Sequence, residues 1–298
     1  MNKIERSTNF LAAVATIIMG IIAVASLPFI KCLVSTCQTA QTNTSVSKNC
    51  INNNCNIDGS QIKYNIGDKI TFGSWPVGIE GEVSEAIEWE ILEKKDDGTA
   101  IVLSSKVIDV KPYNTKLENI TWNDSSLRKW LHHEFYGKAF TAEEKDKIVE
   151  TSLKNEDNNE EYTQKYINWW EKWAKKEAVD KKRYIGTKMN GKGGEDTTDK
   201  VWLLSLDDIR RYGRRFSTDK NRTAIPMEYL TKEIDFCTSD ACKRNRVVGN
   251  AWWWLRSPGG EQKNAAYIHY SGFVHVLGLH VDNNGGVRPA LKINLNNL

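Results

Sequence analysis

The chain has 298 residues, 40% of them hydrophobic and 10% aromatic with 11 Trp, which is enough apolar material to bury a core and excludes a wholly disordered polymer. A formal net charge of +3 is too balanced to select an electrostatic partner, and no dense Lys/Arg stripe interleaves with aromatics, so nucleic acid is not expected as a partner.

The first element is the uncharged run FLAAVATIIMGIIAVASLPFI, residues 10–30. As a helix rising about 1.5 Å per residue it just spans a hydrocarbon layer of about 30 Å. Lys3 and Arg6 ahead of it favour a cytoplasmic N-terminus, while Glu5 and Lys31 blunt that asymmetry. Two readings of residues 1–30 stay open. A signal anchor accounts for the apolar run continuing to Ile30; a secretory signal peptide accounts for Ala23-Val24-Ala25 before Ser26, with cleavage near Ala25. Either reading makes the remainder extracytoplasmic, and the anchor makes it membrane-bound through residues 10–30.

Residues 31–60, rich in Asn, Thr, Ser and Gln, read as a polar extracytoplasmic tether. Six cysteines fall in three pairs of equal spacing, Cys32 and Cys37, Cys50 and Cys55, Cys237 and Cys242. An even count in an exported chain favours structural disulfides, with connectivity open, over a zinc site, whose usual ligand spacing is shorter.

Residues 61–298 read as a single α+β domain. IGDKITFGSW and IEWEILEKKDDGTAIVLSSKVID are strands, with Asp97-Gly98 marking a hairpin turn. Ile87, Trp89 and Ile91 alternate with Glu88 and Glu90, so one face should be buried. Leu127, Trp130, Leu131 and Phe135 then repeat at helical spacing behind an Asp124 or Ser125 cap, which also accounts for the Trp122-Asn123-Asp124 triplet. Thr141 and Glu144 form a capping-box pattern that should open a second helix through Ile148 and Leu153. Residues 156–185 read as a helical insertion with Tyr162, Tyr166, Trp169, Trp170 and Trp173 in a stripe that packs on the domain. KVWLLSLDDIRRYG is a buried strand followed by a helix that Ser205 and Asp208 cap.

Strands return at the end of the chain. NAWWWLRS runs into Pro258-Gly259-Gly260, and Ser271-Gly272 is a plausible two-residue turn between AAYIHY and FVHVLGLHV. With strands at both ends and helices between them, the terminal strands should meet in one sheet. On a strand, Trp252 and Trp254 share a face with Arg256 and Trp253 points away. We expect Trp253 and at least one neighbour to be core, and any ring left exposed beside the SPGG turn to be the stacking candidate.

No Ser-His-Asp order, nucleophile elbow or H-E-x-x-H occurs, and no catalytic residue is assigned. A two-residue turn at Ser271-Gly272 would put His269 and His275 on opposite faces, which speaks against a three-histidine site with His280. Asp282, Asn283 and Asn284 offer oxygens of the kind calcium takes, although such clusters also form plain turns; no other cofactor is expected. The ligand-binding candidates are therefore Trp252, Trp254, Arg256, His269, His275, Asp282 and Asn283. Arg256 and Arg288, each in a strand, are placed to pair with a carboxylate or stack on a Trp.

The segments DSSLRKWLHHEFYGKAF, TDKVWLLSLDD, WWLRSPGG, AAYIHYSGFV and GGVRPALKINL stand in an order that resembles a bacterial family called domain of unknown function 6273, over residues 64–298. Its ending is also similar to the C-type-lectin-like fold of formylglycine-generating enzymes, where a Trp-bearing strand leads to a closing Gly-Phe-Arg strand; Gly286-Val287-Arg288 stands there in this chain. The resemblance implies irregular antiparallel sheets. Those enzymes bind copper through two cysteines with four residues between them, as Cys237 and Cys242 have, but this pair precedes Trp252 where theirs follows the Trp strand. A structural bridge is the better reading. The expected function is a non-catalytic, surface-displayed recognition module for a glycan, cell-wall or protein ligand. The alternatives are an extracytoplasmic enzyme related to that family and a structural surface protein.

Overall fold

Alternation of apolar and polar side chains builds most of the molecule. The computed structural model describes residues 64–77, 83–159, 189–232 and 248–298, with Gln164 and the backbone of 49–51 and 54–56. Contacts divide the chain into two units, Met1–Gln61 and Ile62–Leu298. In the first, β1 (Asn49–Ile51) and β2 (Asn54–Asn56) pair antiparallel, with Cys50 opposite Cys55. The apolar run 10–30, its cleavage pattern, Cys32, Cys37, Cys237 and Cys242 lie outside the described residues.

In the second unit β3 (Lys69–Val77), β4 (Val83–Lys94) and β5 (Thr99–Ser104) form a meander, followed by β6 (Asp109–Pro112). On β4, Ile87, Trp89 and Ile91 are buried and Glu88 is exposed, as the alternation requires. Glu90 departs from the pattern because Arg215 reaches it and forks onto its carboxylate.

Helix α1 (Ser126–Trp130) is capped by Ser125 and runs through a π-helical turn, Leu131–Phe135, into α2 (Tyr136–Ala139). Leu127, Leu131 and Phe135 are buried, and Trp130 is half-buried. Thr141 and Glu144 do form a capping box, but α3 (Ala142–Lys145) ends after a single turn. Instead of continuing the helix, Ile148 and Leu153 lie in β7 (Ile148–Val149) and β8 (Thr151–Leu153). A short helix is marginal alone, and here the β-branched residues after it gain a ladder partner.

The start of the expected insertion is also extended: β9 (Asn158–Asn159) pairs with β10 (Asn190–Gly191). The aromatic stripe Tyr162–Trp173 lies outside the described residues. Then follow β11 (Thr197–Asp199), β12 (Val201–Leu203), α4 (Leu206–Arg211) with the Ser205–Asp208 capping box, and α5 (Asp219–Arg222). The C-terminal strands are β13 (Trp253–Pro258), β14 (Asn264–Ile268), β15 (Val274–His280), β16 (Asn284–Val287) and β17 (Pro289–Asn294).

Among the described residues the two larger sheets run in the orders β12-β17-β5-β4-β3, with β7 also on β17, and β15-β14-β13-β16-β6, beside the two-stranded pairs β9-β10 and β8-β11. The assembly is a curled, mostly antiparallel sheet structure with few helices, an α+β, β-rich architecture in which the terminal strands do meet. The one parallel pair between these strands is β13 with β16, at Trp253 and Gly286.

The β14–β15 connection corrects the expected register. Ile268 pairs with Val274 and Tyr267 with His275, so the loop is Tyr270-Ser271-Gly272, three residues rather than two. Gly272 takes a left-handed φ of +87°, and its N–H donates to His269 O. The β4–β5 loop, Asp96-Asp97-Gly98, repeats the device with Gly98 at φ +81°. A third-position left-handed glycine closes such a loop with the twist the strands need. The one-residue shift gives His269 and His275 the same parity, so they do not occupy opposite faces as the shorter turn would have required.

Candidate functional site

The SPGG turn is the place to begin. After Pro258 the backbone is packed so closely that a side chain has no room. A Cβ on Gly259 would strike Leu277 O and Asn264, one on Gly191 would strike Gly259 O, and one on Gly278 would strike Ala265 O. Asn158, itself buried, bridges this junction by donating to Pro258 O (3.0 Å) and Val276 O (2.8 Å). Asn190 N–H donates to Gly260 O, and Gly260 N–H to Leu277 O. These bonds draw β10 and β15 together around the turn.

Gln262 then ties two loops together. Its side-chain amide donates to Ile120 O (2.8 Å) and Lys192 O (3.0 Å), and its Oε1 accepts from Lys192 N–H (2.7 Å). Its own carbonyl accepts from Ile120 N–H. The side chain acts as an extra peptide group between two irregular segments and holds them at fixed spacing.

Above it opens a polar cleft of about 380 Å³ lined by Asn119, Asn190, Glu261, Gln262 and Lys263. Asn119, Asn190 and Glu261 are exposed. The side-chain amides of Asn119 and Asn190 have no hydrogen-bond partner among the described residues, and Glu261 lies 3.3 Å from Lys263. Val281 N–H donates to Lys263 O and Val281 O accepts from Asn114 N–H, which brings the Asp282–Asn284 turn to the same end of the sheet.

The seven sequence-derived ligand candidates are not one site. Trp253 and Trp254 are fully buried; Trp254 donates to Lys111 O (3.1 Å) and stands edge-on to Tyr113. Arg256 is also buried, donating to Leu203 O (2.9 Å) and pairing with Asp208. Neither Trp254 nor Arg256 therefore presents a surface to a ligand, because each completes the core contacts of β13. Trp252 keeps partial exposure, with its ring 4.8 Å from Trp254 and 5.3 Å from Tyr267 over the bare backbone of Gly285. It lies just before β13, roughly 17 Å by strand rise from the start of SPGG rather than beside it. His275 stacks on Tyr267 at 4.8 Å, and His269 Nδ1 lies 2.9 Å from Ser271 Oγ within the hairpin loop. Asp282 and Asn283 are exposed, and the Asn283 amide donates to His280 O, closing its own turn.

Among the described residues no three His, Cys, Asp or Glu side chains converge as a metal site would need. The cluster around buried Asp199 is structural. Asp199 accepts from Trp122 Nε1 (2.9 Å) and from Arg128 Nε and Nη2 (2.9 and 2.7 Å), with His132 Nε2 at 3.3 Å. Burial would raise its carboxyl, but His132, Arg128 and Trp122 outweigh that and hold it at about 2. His132 is thus turned toward Asp199. Asp109 moves the other way: burial raises it, and Lys111 only partly opposes this.

The cleft residues Asn119, Asn190, Glu261, Gln262 and Lys263 are absent from the sequence-derived set. Three of them follow SPGG directly, which is the one sequence signal for the cleft; Asn119 and Asn190 are distant and come to it only through the Gln262 bonds and the Asn190–Gly260 bond.

Comparison with known proteins gives one family. No curated protein and no solved structure matches the chain. A family model described as a domain of unknown function (DUF6273) matches residues 97–295, a span that runs from the β4–β5 loop to the end of the closing strand and takes in the SPGG turn, the buried β13 and the described lining of the cleft. The chain belongs to the DUF6273 family.

Proposed function

We propose that the chain is an exported, membrane-tethered surface protein whose Ile62–Leu298 unit is a non-catalytic recognition domain. Its ligand would be a glycan, cell-wall material or a protein. The observation that carries this reading is the polar cleft, with two amides unpartnered among the described residues and a floor locked by Gln262. A pre-formed concavity with few convergent polar groups is what a binding site needs. A C-type-lectin-like arrangement is part of the proposal, supported by the Trp-bearing β13 leading through loops to Gly286-Val287-Arg288. Among the described residues no helix is long and apolar enough to cross a membrane, so tethering rests on residues 10–30.

The test is retention of the full-length chain on isolated cell wall and on a glycan array, with and without calcium. Saturable retention, reduced in an Asn119→Ala/Asn190→Ala variant, is expected; no retention on either support would sink the reading. Stoichiometric copper lost on Cys237→Ser would move the assignment to an enzyme.

A further inference from the structure

Resting on the recognition reading, we infer that the cleft takes a neutral, hydroxyl-rich glycan segment rather than an anionic polymer or a peptide. Among the described residues the lining holds one carboxylate and one ammonium, Glu261 and Lys263, 3.3 Å apart, so their charges cancel locally and these residues leave no surplus cation for phosphate or uronate. Among the described residues its lining includes no apolar side chain to anchor a peptide residue. Nor is the neighbouring strand open there for β-addition, because the carbonyls of Val276 and Leu277 are taken by Asn158 and Gly260.

What remains is amide chemistry. Asn119 and Asn190 each offer two N–H donors and a carbonyl acceptor, flanked by an acceptor at Glu261 and donors at Lys263. A sugar hydroxyl donates and accepts at once, so adjacent hydroxyls can be met in both senses. Because Gln262 already fixes the loops, little ordering cost falls on binding. A volume of about 380 Å³ sits at the small end of ligand clefts, which suits a short segment. With no stacking ring among the described lining residues, their affinity rests on hydrogen bonds and should be weak, with Kd on the order of 1 mM.

Calorimetric or NMR titration of the full-length chain with chitotetraose, maltotetraose and tetragalacturonate tests this. At least one neutral tetrasaccharide should bind and tetragalacturonate should not. The Asn119→Ala/Asn190→Ala variant should weaken neutral binding about tenfold or more with unchanged melting, since both side chains are exposed. Glu261→Gln, which uncovers Lys263, should make tetragalacturonate binding detectable. The inference is overturned if tetragalacturonate binds wild type as tightly as the neutral probes, if the double variant binds them unchanged, or if none of the three binds. Retention on cell wall alongside any of these failures leaves the recognition reading standing; loss of that retention as well removes both.

Discussion

Three arginines sit where arginine is seldom found, sealed inside the unit: Arg222, Arg256 and Arg288. Each is held by backbone carbonyls. Arg222 donates to Gly272 O and Phe216 O, Arg256 to Leu203 O, and Arg288 Nε to Ser104 O at 2.8 Å while its guanidinium lies 4.9 Å over the Trp253 ring. A lysine has neither the planar face nor the fork. Arg288→Lys should therefore cost about 2–4 kcal/mol in chemical denaturation, and an unchanged midpoint would show that the stack contributes nothing. Asp199 makes a pH prediction. Its carboxyl sits below the unfolded value of 3.8, so its contribution, about 2 kcal/mol, is complete above about pH 4 and is lost as pH falls toward about 2. Melting curves of wild type and Asp199→Asn should converge over that interval. Gln262→Glu replaces a donor facing two carbonyls with a carboxylate and should destabilise more than Gln262→Ala, for which about 1–3 kcal/mol is expected.

At the scale of elements, the two glycine-closed loops separate backbone strain from crowding. Gly98 and Gly272 share a left-handed φ, yet a Cβ at Gly98 meets only the end of the Asn296 side chain, while one at Gly272 runs into the Asp219 backbone. Gly98→Ala should cost about 1–2 kcal/mol, and Gly272→Ala distinctly more, with the β14–β15 hairpin losing amide protection first. Strand β13 invites a parallel comparison. Trp253 is fully enclosed, its Nε1 donating to Arg222 O, so Trp253→Ala should remove about 3–5 kcal/mol. Trp252→Ala, at a half-exposed position, should remove less. Equal losses would mean that the two rings are equally part of the core.

Across the whole molecule, the closing strand crosses from one sheet to the other at Arg288, between β16 and β17. That crossing explains why the Gly-Val-Arg-Pro ending carries so much of the fold: Arg288 binds the end of β5, stacks on β13 and joins both sheets.

The sequence by itself determined what local chemistry can dictate. The strand alternation of Ile87, Trp89 and Ile91 and the caps at Ser125, Thr141 and Ser205 need only neighbouring residues to operate, and all are present. The burial of Trp253 and the family signature were legible for the same reason. Tertiary contacts decided the rest. Ile148–Leu153 became strand because β17 and β11 supplied ladders that one capped turn could not outweigh. The β14–β15 register depended on where one left-handed glycine fell among three loop residues, a difference of one position that sequence alternation cannot resolve. The cleft draws Asn119, Asn190 and Glu261 from three distant segments, and the side-chain bonds of Gln262 together with the Asn190–Gly260 backbone bond bring those segments into register.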